Sequence, residues 1–493
     1  MGLSIVCMWR DSVRQSPPVS KPLRICRCAL ILGLVLLSAS CQEHTVPGIN
    51  DAGCEPTCLA NDAGGANDAG GANDAGMRPL PPYVPTQVGE ATLVTLTNQL
   101  SDVRPSFPPG TGSIITIGDY SGGAANRWAS YWGKHLVHGG GHAATEDASI
   151  YAVAYEDTSA SWELIAGMPD LREHGLWYDH GGGNHSYRYF IVRGAESTMP
   201  ESPEDPAGWA LPDENRVNPR EMFPGWPGSG HTYDTLSIIP PPWAGDPQGA
   251  LLRNGSFSVG IGAARDTFIA HRFRLGATTW DRFEASSTMT RTSSIDSRRG
   301  RAKFPNSRGY RDLMTGSWVD VPGAVTGIPE GYVDNVLSEY HEQRDIHVYC
   351  TNTQEEARER APSKWVWWPG GDDDGVRRQV TWTGTEPPSM SDDIQTGQAS
   401  LVYIDALEKL LFYSRIDIDA YYLIDVPEDP TQSWSATRVV ITGEGRPSQL
   451  VTPALHVYRR WDWLPALKSI SYIPLSRDTG ARIDKVVLIR VVE

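Results

Sequence analysis

From about Tyr83 onward the chain is written almost entirely as short runs of β-branched and aromatic residues broken by Gly, Pro, Asp and Asn. SIYAVAY, TFIAHRF, DIHVYC, KLLFYS, YYLIDV and KVVLIRVV are examples, and hardly any stretch carries helical periodicity. Such a chain has to pair its strands with one another. The runs recur in a fixed order: a turn of small residues, an inner strand, a second strand of small and apolar residues, then a late strand near a tryptophan. Trp162, Trp280, Trp318 and Trp434 hold comparable places in ASWELI, TTWDRF, GSWVDV and QSWSAT. A repeat of this size buries its apolar faces only by stacking on its neighbours. Four-stranded blades closed about an axis do so while leaving few unpaired strand edges.

Six such units are expected, spanning roughly 114–167, 230–285, 286–325, 326–371, 392–443 and 451–493. The polar, proline-rich stretch 168–228 reads as either a seventh, irregular blade or an elaborated loop. ATLVTLTNQL, from Ala91 to Leu100, is placed to supply the outer strand of the last blade and so stitch the two ends of the ring together. The fold class expected is an all-β propeller of six or seven blades, preceded by a signal peptide and a disordered linker.

The N-terminal segment reads as an address. Arg10, Arg14, Lys21, Arg24 and Arg27 precede the apolar run ALILGLVLL, which is short for a membrane span, and small residues then lead to Cys41. LLSASC resembles a bacterial lipobox, although Ser38 stands where leucine is usual; the resemblance implies lipidation at Cys41. Residues 42–85 form a low-complexity tether, with NDAG at Asn50, Asn61, Asn67 and Asn73, and have little to bury against the entropy of ordering. The expected organisation is therefore 1–41 signal peptide, 42–85 linker and 86–493 propeller. The expected location is the cell envelope, anchored at the outer membrane. Cys54 and Cys58 could close a small loop in an oxidising compartment.

A formal net charge of −16 argues against nucleic acid as a partner. No Walker loop, Rossmann fingerprint, HExxH helix or nucleophile elbow is present, so neither a nucleotide cofactor nor a serine hydrolase is expected. Of twelve histidines, His135, His138, His142, His174, His180, His185 and His231 crowd into one part of the chain. A zinc site needs three or four converging ligands, and HGGGH separates His138 from His142 by a glycine turn, so no metal and no cofactor are expected. The acidic run Asp372, Asp373, Asp374 reads as a solvated turn.

YSGGA at 120–124, HGGGH at 138–142, SGHTYD at 229–234, SSIDSRRGRAKF at 293–304 and YRRWDWLPALKSISYIP at 458–474 together resemble the kelch-type, galactose-oxidase-like propellers of bacterial exported proteins. The resemblance implies the fold and leaves the reaction open. Such propellers usually carry an arginine before the HTYD histidine; here Gly230 stands in its place. The copper radical chemistry of galactose oxidase needs a cysteine cross-linked to tyrosine, and the body of this chain offers only Cys350, without a matching constellation.

Two functions are expected from these residues. One is binding of an extracellular glycan or protein by a monomer tethered to the membrane through its N-terminal lipid, with His138, Trp226, Trp365, Trp367 and Trp368 as contact residues. The other, implied by similar propellers among ulvan lyases, is β-elimination on a uronate-containing polysaccharide. There His142, His185 or His231 would be the base, Tyr187 or Tyr233 the acid, and Arg188 or Arg272 the carboxylate partner.

Overall fold

The computed structural model describes residues 78–104, 121–139, 149–167, 175–179, 188–192, 235–254, 269–285, 292–304, 309–321, 337–351, 364–371, 376–388, 399–450, 457, 459–474 and 483–493. Strand β1 (Ala91–Thr95) comes first. The first blade follows as β2 (Gly123–Asn126), β3 (Lys134–His138), β4 (Ile150–Tyr155) and β5 (Ala160–Ala166). A separate two-stranded sheet is formed by β6 (Gly175–Asp179) and β7 (Arg188–Val192). Blade two is β8 (Leu236–Ile239), β9 (Ala250–Asn254), β10 (Ile269–Arg274) and β11 (Asp281–Ala285). Blade three is β12 (Ser294–Asp296), β13 (Arg301–Lys303), β14 (Gly309–Asp312) and β15 (Trp318–Asp320). Blade four is β16 (Leu337–His341), β17 (Ile346–Thr351), β18 (Lys364–Pro369) and β19 (Arg378–Gln379). Blade five is β20 (Ala399–Ile404), β21 (Lys409–Ser414), β22 (Ala420–Asp425) and β23 (Ser435–Val440). Blade six takes β24 (Trp461–Leu464), β25 (Ser469–Tyr472) and β26 (Lys485–Arg490) from the C-terminus, and β1 completes it.

Every blade is an antiparallel meander whose first strand is innermost. The innermost strands β2, β8, β12, β16, β20 and β24 lie against one another in cyclic order, with β24 returning to β2. The ring therefore closes with six blades. β2 meets β8 directly, so the two strands inside 168–228 add no seventh blade.

Closure uses the exchange expected from ATLVTLTNQL. β1 pairs antiparallel with β26, from Ala91 opposite Ile489 to Thr95 opposite Lys485. The exchanged strand also reaches both neighbours of its blade. The Ala91 amide donates to the Thr442 carbonyl beyond blade five, and the Thr97 amide donates to the Ala160 carbonyl in blade one. Pairing the first strand of the body with the last makes opening the ring cost a whole ladder of hydrogen bonds.

The inner hairpin has one recurring device. The residue just before the second strand of each blade has positive φ: Gly133, Gly249, Gly300, Asp345, Glu408 and Lys468, between 52° and 78°. This left-handed residue turns the chain back onto the inner strand. Three blades use glycine there and three accept the strain of a side chain, which is why no single motif marks the turn in the sequence.

Apolar burial sits between the blades. Leu136, Ile150, Leu251 and Phe273 join blades one and two, Leu401, Leu410, Phe412 and Trp365 join four and five, and Tyr413, Trp461, Ile470 and Ile489 join five and six. The recurring tryptophans do hold equivalent places: Trp162 lies within the fourth strand of its blade, Trp318 begins one, and Trp280 and Trp434 immediately precede theirs. Trp162 shows how they work, its indole donating to the Ile483 carbonyl at 2.7 Å and so tying blade one to blade six. The joint between blades three and four is more polar. Arg299 donates to both oxygens of Asp345, at 2.7 and 2.6 Å, and to the buried Asp296 at 3.1 Å. Ser294 bonds the His347 ring and the Tyr349 hydroxyl.

Candidate functional site

A pocket of about 160 Å³ lies on the propeller axis, lined by all six innermost strands and the turns that follow them. One side chain from the loop before β24 ties its walls together. Arg459 donates to Ser237 Oγ of blade two at 3.3 Å, to the carbonyls of Ser293 and Ser338 in blades three and four, and to Glu339 Oε2 at 3.3 Å. Its own carbonyl accepts from His135 Nε2 of blade one at 3.2 Å. Arg459 sits at φ 55°, a left-handed conformation for a residue with a side chain. The long side chain of arginine and its fork of donors engage three other blades, while its backbone carbonyl holds a fourth.

The approach of Arg459 to the axis depends on a glycine. A Cβ on Gly123 would lie 2.8 Å from His135 Nε2 and 3.2 Å from the Arg459 carbonyl, so any larger residue would push β2 off the ring. The hydrogen bonds around His135 fix its proton. Because the Arg459 carbonyl can only accept, Nε2 carries the hydrogen and Nδ1 accepts from Ser471 Oγ at 2.8 Å. Ser471 in turn accepts from the buried Tyr155 hydroxyl at 2.6 Å. Burial pushes His135 down to about 3, so the ring is neutral at ordinary pH.

Two carboxylates stand beside the arginine. Glu339 is the middle residue of β16 and keeps 18% of its side chain exposed. Burial raises its carboxyl to about 7, the attraction of Arg459 not offsetting it, and the neighbouring Asp462 adds to the rise. Asp462, in β24, accepts from the Ala125 amide at 2.7 Å and the Trp463 amide at 2.8 Å. Burial nonetheless raises it to about 6. Two acids held close to neutrality in one cavity are suited to carrying and passing protons.

Part of the pocket wall is aromatic. Trp128, Tyr340, Tyr403 and Trp463 contribute to its wall. Several are fixed from behind: the Tyr340 hydroxyl donates to Asp345 at 2.6 Å, and the Trp463 indole donates to Asp405 at 2.8 Å. Asp405 also receives Arg127 at 2.5 Å, and the Arg127 guanidinium lies 4.7 Å from the centre of the Trp128 ring. Trp128 and Tyr403 are half-buried and keep a face toward the cavity.

The structure separates the residues singled out from sequence into three groups. His142, His185, His231, Tyr187, Tyr233, Trp226 and Cys41 lie outside the described residues. For Arg188 only the backbone is described, in β7 opposite Asp179. The remaining residues are in the interior, and here the sequence reading is corrected. Trp365 and Trp367 are 2% and 4% exposed within the joint of blades four and five, and Trp368 stacks on Tyr349 at 4.1 Å. These three indoles pack blades together and present no face to a ligand. The reason is strand alternation: β18 is an inner strand of its sheet, covered on both faces, so consecutive aromatics KWVWW are all enclosed. Arg272 is equally committed, to Asp281 at 3.0 Å, to the carbonyls of Leu313 and Met314, and over the Phe283 ring. It ties blade two to blade three and is not available to a uronate. His138 is fully buried, its ring edge-on to Trp280 at 5.5 Å.

Sequence reasoning missed Glu339, Asp462 and Arg459. A signal was present: LSEYH and WDWL are innermost strands with an acid placed inside a run that is otherwise apolar, aromatic or small. Arg459 stands in the run YRRWDW that leads into β24. Only the ring shows that this arginine lies on the axis.

No protein-family model matches the chain, and no curated protein matches it. Among solved structures it is similar to an α-L-arabinanase from Penicillium chrysogenum, with 11% identity, 83% of this chain and 99% of that one covered, and a TM-score of 0.38. An α-L-arabinofuranosidase from Fusarium graminearum gives 10% identity, 79% and 97% coverage and a TM-score of 0.36. A xyloglucanase from Xanthomonas campestris gives 12%, 63% and 37%, and 0.22. At these identities and scores the likeness transfers no chemistry to this chain. The fold stated by its own strand order is a six-bladed β-propeller.

Proposed function

We infer that the axial pocket binds carbohydrate. The observation that carries this reading is the combination in one concave site of half-buried aromatic faces, Trp128 and Tyr403, with two carboxylates in its wall, Glu339 and Asp462. A sugar ring has an apolar C–H face that lies on an aromatic ring, and a girdle of hydroxyls that hydrogen-bond carboxylates. A narrow axial cavity accepts a single ring or chain end more readily than the flat surface of a protein. Titration of the mature chain with oligosaccharides tests the reading. Trp128→Ala should weaken binding about tenfold, the worth of one lost stacking contact. Unchanged affinity in that variant would refute the placement.

The same proposal keeps the kelch-type resemblance and the N-terminal address: an exported lipoprotein, held at the outer membrane through Cys41, with the propeller displayed to extracellular glycan as a monomer. Its support is the basic, apolar and small-residue order that ends in LLSASC. Fatty-acid labelling should be lost in Cys41→Ser, and label retained in that variant would overturn the anchor.

A further inference from the structure

We propose that the pocket hydrolyses a glycosidic bond, with Glu339 as general acid and Asp462 as general base. The proposal deepens the carbohydrate reading above and rests on it. Three geometric observations lead to it. The two carboxylates come from innermost strands on different blades, β16 and β24, so the ring brings them to one cavity from distant parts of the sequence. Arg459 touches Glu339, and both acids line the same cavity as Trp128 and Tyr403, so a sugar resting on those aromatics lies within the cavity that holds both acids. Asp462 is aimed by two backbone amides, from Ala125 in the neighbouring blade and from Trp463. Each acid also makes one contact with another blade, Asp462 with the Ala125 amide and Glu339 with Arg459, and both still line the cavity.

The chemistry balances with water as the only co-reactant. The protonated carboxyl of Glu339 gives its proton to the glycosidic oxygen as the C–O bond breaks and that oxygen keeps the electron pair. Positive charge developing on the ring carbon is met by a water molecule, whose oxygen forms the new bond while Asp462 takes one of its protons. The products are an alcohol and a hemiacetal. The proton on Asp462 then exchanges with solvent and Glu339 is reprotonated. The two environments suit the two roles, since Glu339, raised to about 7, holds its proton at a pH where Asp462, raised to about 6, has begun to lose its own. The rate should therefore be bell-shaped in pH, with limbs near those two values.

The test uses the mature chain with para-nitrophenyl and dinitrophenyl glycosides of the common pentoses and hexoses, in heavy-oxygen water, with binding of the parent sugars followed in parallel. Hydrolysis is expected, with solvent oxygen in the hemiacetal. Glu339→Gln should lower the rate on para-nitrophenyl glycosides about a hundredfold or more. It should lower it far less on dinitrophenyl glycosides, whose leaving group needs no proton, while the variant still binds sugar and melts as a folded protein. Asp462→Asn should remove the acid limb. Equal losses on both leaving groups would overturn the assignment of Glu339. Sugar bound and left intact would overturn hydrolysis and leave the binding reading standing, whereas neither binding nor cleavage would overturn both. Unsaturated products without solvent oxygen would replace hydrolysis by elimination.

Discussion

Glu339→Gln should make the protein more stable above neutral pH, although it removes a partner of Arg459. Glutamine has the shape of the neutral acid, so the comparison isolates the cost of the carboxylate's charge. Burial lifts Glu339 from 4.5 to about 7 with the attraction of Arg459 already included. At about 1.4 kcal/mol per pH unit, that amounts to about 3 kcal/mol. The sign follows from proton binding. Between the two values the folded protein holds a proton that the unfolded chain has released, so wild-type stability falls as pH rises from about 4.5 and levels off above about 7. In Glu339→Gln that decline is absent. Urea unfolding of both proteins from pH 4 to pH 8 should give curves that coincide at the acid end and separate by up to about 3 kcal/mol at pH 8, the variant being the more stable. A gap independent of pH, or a variant less stable at pH 8, would show that the ion pair with Arg459 outweighs burial and would refute the reasoning. The gain in stability alongside the expected loss of cleavage is the exchange anticipated for a charge kept in place by function.

Other consequences concern the frame around the pocket. Trp367→Ala should cost about 3–5 kcal/mol, as for a large aromatic removed from a core, and leave sugar affinity unchanged; a stable variant that no longer binds would restore the ligand-stacking role. The buried histidines give stability the opposite pH dependence to Glu339. Burial lowers His135 and His271 to about 3 and His341 to about 4, so the unfolded chain takes up protons first and stability is lost as pH falls below about 6.5. Each costs about 2 kcal/mol by pH 5, and His271→Leu should remove one such step from the acid unfolding profile; an unchanged profile would count against it. Glu408 holds φ 53° at the inner turn of blade five. Glu408→Gly should raise stability by roughly 1 kcal/mol by relieving that conformation, and a fall measured by urea unfolding would refute the strain.

The amino-acid pattern determined the strands, the repeat and its closure. Alternation of short apolar runs with Gly, Pro, Asp and Asn is a local property, and the tryptophans near each fourth strand and the orphan strand at Ala91 are visible without any knowledge of contacts. Function was less legible for a physical reason. In KWVWW the residues with most binding surface are enclosed, because what decides exposure is the sheet laid on either side of β18, and a linear reading cannot see that. Arg272, attractive as a carboxylate partner, is spent on Asp281 and two carbonyls of the next blade. Conversely Glu339 and Asp462 are single acids more than a hundred residues apart, each marked only by standing inside an otherwise apolar, aromatic or small run. Radial closure brings Glu339 to Arg459 and Asp462, and removal from water is the main cause that raises the affinity of both acids for protons. Sequence thus dictated a ring of blades, while the tertiary structure decided which side chains reach its axis, since proximity and burial there are properties of six strands together.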